Sequence, residues 1–129
     1  MLSRRLLQAV VAVGGLVPVG AGLAGVLFGP GAFGTAVSAG ADSQFRYLSG
    51  LLLAIGFGFW STIPSIERQT MRFRLLTALV VCGGLCRLLG LFLSCPVPPG
   101  MLFGLVMELG VTPALCWWQG RIAAAAARL

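Results

Sequence analysis

Four apolar stretches divide this chain, and the polar positions between them are few. Residues 6–28 carry no ionisable side chain over about 23 positions, enough for a helix to cross a bilayer. Further apolar runs cover residues 45–63, 75–94 and 101–118. Each predicts a membrane-spanning helix. The segments between them carry the punctuation. Residues 29–40 form a Gly-rich loop opening on Gly-Pro-Gly, after which Asp42 or Ser43 can cap the second helix. Residues 67–74 are a polar connector with Arg68, Arg72 and Arg74, and residues 95–100, holding Pro96, Pro98 and Pro99, must turn sharply. The tail, 119–129, contains five consecutive Ala, so the fourth helix should continue into it.

The first run also has the basic lead and small residues of a secretory signal, with Gly22-Leu23-Ala24 as a cleavage candidate. Its apolar character persists to Phe28, beyond a signal's usual apolar core, which favours a retained first helix. Pro18 and five Gly should loosen or kink it, as a membrane span tolerates.

Composition strengthens this picture. Of 129 residues, 58% are hydrophobic and 9% charged, with mean hydropathy +0.99. A soluble domain carries about 25% charged residues, so this chain has too little polar surface to cover a globule in water. The expected fold is all-α: one integral membrane domain over residues 1–129, a bundle of four transmembrane helices. The net charge of +6 comes from nine Arg and no Lys, set against Asp42, Glu67 and Glu108. With four spans, Arg4, Arg5, Arg68, Arg72, Arg74, Arg121 and Arg128 share one side and Arg46 the other. The positive-inside rule then predicts both termini in the cytoplasm of a bacterial inner membrane. Trp60, Trp117 and Trp118 fall at the same interface. The basic charge thus marks membrane flanks and not a nucleic-acid face, since no basic soluble domain accompanies it.

Chemistry is sparse. His is absent, removing the commonest metal ligand and the usual near-neutral proton shuttle. The four Cys (Cys82, Cys86, Cys95 and Cys116) have neither zinc nor haem spacing nor a CxxC pair, and read as small apolar residues. The Ser and Thr hydroxyls have no His or Lys to activate them, and no Gly-rich loop follows a strand, so no cofactor is expected.

Two charges stand out. Arg87 and Glu108 interrupt the third and fourth spans, each about seven residues, roughly 10 Å of helix, from the Pro-rich turn. An ionisable residue inside a span needs a partner and is a functional-site candidate. Arg46 opens the second span with Asp42 one turn before it, and Gln44, Tyr47 and Ser94 lie near the same end. The expected site is a polar cluster of Asp42, Arg46, Tyr47, Arg87 and Glu108 in the outer half of the bundle. Small-residue stripes (Gly50, Ala54 and Gly58; Gly83 and Gly90; Gly104 and Thr112) fall on the charged faces and aim them inward.

An Arg–Glu pair can simply fix helix register. A second Arg exceeds what one bridge requires, and surplus donors can hold an anionic head group, a quinone carbonyl or an isoprenoid oxygen. Three classes follow. The chain can be a binding or accessory subunit of a larger membrane complex or homo-oligomer. It can be an enzyme on a lipid or isoprenoid substrate, with Glu108 as acid/base and Arg46 or Arg87 stabilising an oxyanion. It can be a small dimeric transporter coupled through Glu108, a reading weakened because the inner halves of the spans carry no charge.

The stretches DSQFRYLSGLLLAIGFGFW at 42–60, CRLLGL at 86–91 and MELGVTPALCWWQ at 107–119 resemble the DUF4345 family of small bacterial membrane proteins. The resemblance covers roughly residues 5 to 120. Its shared positions fall on Asp42, Arg46, Gly50, Arg87, Gly90 and Glu108. It implies a four-helix relative of the DoxX-like membrane proteins and supplies no activity.

Overall fold

The computed structural model describes residues 2–33, 37–93 and 99–129. The expected turn at 95–100 and the positions of Ser94 and Cys95 lie outside the described residues, apart from Pro99 and Gly100. Helices account for nearly all of the described chain, and no strand occurs among the described residues. In order, these are α1 (Leu2–Gly14), α2 (Leu16–Phe28), a 3-10 turn (Gly29–Phe33), α3 (Ala39–Ser61), a second 3-10 turn (Ile63–Arg68), α4 (Thr70–Leu93), α5 (Pro99–Val106), a π turn (Met107–Val111) and α6 (Thr112–Ala127). The Ala tail does extend the last helix.

Three helical stretches are long and apolar enough to cross a membrane: Ser3–Gly31, Thr70–Leu93 and Pro99–Ala127. Large apolar side chains stand bare along them, including Leu75, Leu89, Phe92, Phe103 and Val106. So much exposed apolar surface suits lipid, not water. The chain is therefore a helical protein of membrane character.

Two compact units divide the chain: Met1–Leu7 with Ser65–Leu129, and Gln8–Pro64. Within Gln8–Pro64, the first predicted span is broken at Gly15. Pro18 has no N–H to return to the Gly14 carbonyl, while the flanking bonds Gly15 N–H to Val11 O (2.9 Å) and Val19 N–H to Gly15 O (3.1 Å) hold. The α2 helix then packs antiparallel on α3. A Cβ at Gly22 would lie 2.6 Å from the Leu53 nitrogen and 2.8 Å from the Ser49 carbonyl oxygen, so only Gly permits this approach. Gly25 packs on Ser49, Gly56 on Val19, and Gly15 on the Trp60 indole, whose Nε1–H donates to the Ala12 carbonyl at 3.1 Å.

This seam departs from the expected stripe of residues 46, 50, 54 and 58. Arg46 reaches the end of α2 and a Cβ at Gly50 would lie 3.9 Å from Val26, but the close approaches are made at Ser49, Leu53, Gly56 and Trp60. Steps of four overshoot a 3.6-residue turn by about 40° each, so a seam along the helix must alternate threes and fours.

In the other unit α4 packs along α5, the π turn and α6. Gly84 is the close-contact glycine: a Cβ there would come within 2.9 Å of the Glu108 Cβ and the Leu109 Cδ2. At the expected Gly83 and Gly90 a Cβ would meet no described atom within 4 Å. Further along, Arg4 bridges to Glu67, Trp118 Nε1–H donates to Ser3 Oγ, and the buried Gln119 ties α6 to the Ile66 carbonyl and Thr70 Oγ1.

Candidate functional site

Arg87 lies near the end of α4, and Glu108 sits in the π turn between α5 and α6. The turn's cause lies five residues on. Pro113 cannot donate to the carbonyl four residues back, and its ring would crowd that carbonyl. The chain widens just ahead of it: the Thr112 N–H bonds to Met107 O, five residues back, and Thr112 Oγ1 donates to the same oxygen at 2.7 Å. Such π bulges frequently occur at functional sites.

The two side chains meet fork to fork. Arg87 Nε donates to Glu108 Oε2 at 3.0 Å, and Nη2 to Oε1 at 2.9 Å. Two parallel charge-assisted bonds are the strongest arrangement open to this pair. The Glu108 side chain is 16% exposed and that of Arg87 39%. Gly104 supports the guanidinium from α5, where a Cβ would stand 3.3 Å from Arg87 Nε. Two of the five N–H donors of Arg87 are used by Glu108, leaving Nη1 and the second Nη2 proton for another acceptor.

Arg46 belongs to the other unit and is employed there. Its Nε donates to Asp42 Oδ2 at 2.8 Å, and its Nη1 to the Val26 and Leu27 carbonyls at 2.7 and 3.3 Å. Those carbonyls lie in the last turn of α2, and Val26 has Pro30, which lacks an N–H, four residues on, so Arg46 caps the end of that helix. Gly29 makes the cap possible twice over: its φ of +65° suits Gly, and a Cβ there would lie 2.7 Å from Arg46 Nη2. Tyr47 is 62% exposed and makes no hydrogen bond with the described residues. The expected cluster is thus built as two ion pairs, one in each unit.

A third pair was not foreseen. Arg4 Nε donates to Glu67 Oε2 at 2.7 Å, across 63 positions of sequence. The Arg4 hydrogen bond, and after it a backbone hydrogen bond, hold the pKa of the Glu67 carboxyl below its ordinary value; burial opposes them, and the charges of Arg4 and Arg68 add smaller contributions in the same direction as the hydrogen bonds. Gln119 was not foreseen either. Its Oε1 is buried and has no hydrogen-bond partner among the described residues. Of the thiols, Cys82 and Cys86 are exposed on α4 and Cys116 is half-buried, which corrects their reading as buried residues. Cys82 and Cys86 point away from the packed face of α4, where Gly84 and Arg87 meet the π turn. Among the described residues no three Cys, Asp or Glu come together as metal ligands.

A family model described as a domain of unknown function, DUF4345, matches residues 6–119, all but the first five and last ten positions. The chain belongs to the DUF4345 family. No curated protein and no solved structure matches it. Both ion pairs of the expected cluster fall inside the DUF4345 match, as do Gln119 and the π turn.

Proposed function

We propose that this DUF4345 chain is a four-span protein of the bacterial inner membrane whose Arg87–Glu108 pair holds a small polar or lipid-like ligand, such as an isoprenoid oxygen. The observation that carries this reading is the half-used guanidinium. Glu108 neutralises Arg87 and fixes its plane, while the remaining donors have no acceptor among the described residues and can serve one on the ligand. The Arg87 side chain is 39% exposed, so those donors are open to an acceptor from outside the helix pair. Both Glu108 oxygens are occupied by Arg87, which favours binding over acid–base catalysis at this carboxylate.

The fourth span would be α3. Its 23 residues reach about 35 Å as a helix. Its two charges, Asp42 and Arg46, lie in the first two turns and neutralise each other, leaving Tyr47–Ser61 uncharged. With four spans the Arg distribution favours cytoplasmic termini. A place as an accessory subunit of a larger membrane complex is compatible with the same pair and the same bare apolar helices.

Purification in native lipid, followed by mass spectrometry of whatever is retained, tests the proposal. The expected result is one small molecule retained by the wild-type chain and lost from Arg87→Met. Retention of the same molecules by both proteins would overturn ligand binding at this pair.

A further inference from the structure

The chain has three acidic side chains, and each is engaged by its own Arg: Asp42 by Arg46, Glu67 by Arg4 and Glu108 by Arg87. Arg74 and Arg121 have no acidic partner among the described residues, yet they converge. Together with Trp117, Pro113 and Cys116 they line an open groove of about 420 Å³ between the start of α4 and the middle of α6. Arg121 lies over the Trp117 ring, 5.4 Å from its centroid, which orients the guanidinium. A smaller adjoining cavity, about 300 Å³, shares Arg121 and adds Arg128. No acidic residue lines either cavity.

The register of the hairpin explains why these two Arg meet. Arg74 lies 13 residues before Arg87, and Arg121 lies 13 residues after Glu108. Two antiparallel helices joined at Arg87–Glu108 bring both to the same level, about 20 Å from that pair. The pair is itself roughly 10 Å from Leu93 and Pro99, the described ends of α4 and α5, so the groove and those ends are separated by about one hydrocarbon thickness. The groove therefore combines cations at one membrane edge with apolar walls, Pro113 and Cys116, leading inward.

We propose that the groove between Arg74 and Arg121 binds the phosphate headgroup of an anionic membrane lipid. The two guanidinium groups supply the charge and the paired donors that phosphate oxygens accept. Trp117, 68% exposed, supplies the amphipathic ring suited to the headgroup level. The first acyl carbons lie against Pro113 and Cys116. This site is separate from the Arg87–Glu108 pair and does not depend on the reading given to that pair.

Native mass spectrometry of the full chain in detergent tests the assignment. Phosphatidylglycerol, phosphatidylcholine with the same acyl chains, and inorganic phosphate are titrated in separate arms. The expected result is at least a tenfold preference for phosphatidylglycerol. The double variant Arg74→Gln, Arg121→Gln should lose that preference, Arg74→Lys, Arg121→Lys should keep part of it, and Arg5→Gln should keep all of it. Arg5 has the same sign and the same expected side of the membrane but does not line the groove. Equal binding of the two lipids overturns the proposal. So does an equal loss in Arg5→Gln, which would make the preference a general property of the basic flank. Inorganic phosphate binding as tightly as the lipid overturns the lipid assignment.

Discussion

Gly84 of α4 lies directly beneath Glu108 of the π turn, where a Cβ would come within 2.9 Å of the Glu108 Cβ. Arg87, on the same helix, grips the carboxylate of that residue from one turn further on. The glycine brings the two backbones close, and the ion pair closes over the gap.

Replacing Gly84 with Val should therefore force the helices apart. The expected loss is about 1–3 kcal/mol, the usual range for overpacking. Gly83→Val, whose Cβ meets no described atom within 4 Å, should change stability by far less. Unfolding in mixed micelles followed by circular dichroism compares the two directly, and equal losses would show that Gly84 has no special role.

Glu108→Gln separates register from ligand binding. Arg87 stays partly exposed in this variant, so the expected destabilisation is about 1–3 kcal/mol, below that of a fully buried pair. Folding should survive while ligand retention is lost. If instead Glu108→Gln unfolds the protein and Arg87→Met with Glu108→Gln restores it, the pair serves the fold alone. A double-mutant cycle on thermal stability reads the outcome.

Glu67 gives a pH signature. Its carboxyl is held below the ordinary glutamate value in the folded chain, first of all by the Arg4 hydrogen bond. The stabilisation is therefore fully present above the unfolded-state pKa and is lost as pH falls through the lower, folded-state value. Arg4→Gln should lower the melting temperature at pH 7, and the gap from wild type should narrow as pH drops below the ordinary carboxylate range. A gap that is constant from pH 7 to pH 3 would remove Glu67 as its source.

Topology can be read chemically. With both termini in the cytoplasm, a thiol reagent confined to the periplasm should label Cys95 and spare Cys116. Single-Cys versions of the chain, labelled in intact cells, make the comparison, and the reverse pattern would invert the proposed orientation.

Much of this architecture was legible in the order of residues. Long apolar runs announce helices because the pattern alone decides them, and Arg87 and Glu108 announce a pair because both stand equally far from the same turn. Other features turn on small differences. Strict four-residue spacing pointed to Gly50 and Gly83, whereas the helical angle put Ser49, Gly56 and Gly84 at the contacts. Pro113 requires a local fault in the ladder, but whether the chain kinks or widens there depends on packing against α4. Arg4 and Glu67 are 63 positions apart, and no local periodicity links them. Arg46 looked like a surplus donor because the carbonyl ends of α2 have no signature in the sequence.

The π turn has a consequence for how this hairpin tolerates change in length. It adds one residue between Glu108 and Arg121 beyond what a regular helix would need, and so sets the angular phase of the two. Deleting a single apolar residue there would leave hydropathy and span length almost untouched. It would nevertheless rotate everything beyond it by about 100°. Either Glu108 would turn away from Arg87, or Arg121 would leave the side of α6 that faces Arg74. Two charged ends some 20 Å apart are thus kept in step by one extra position, and an insertion or deletion within residues 107–111 should be harder to accommodate than most substitutions in the same stretch.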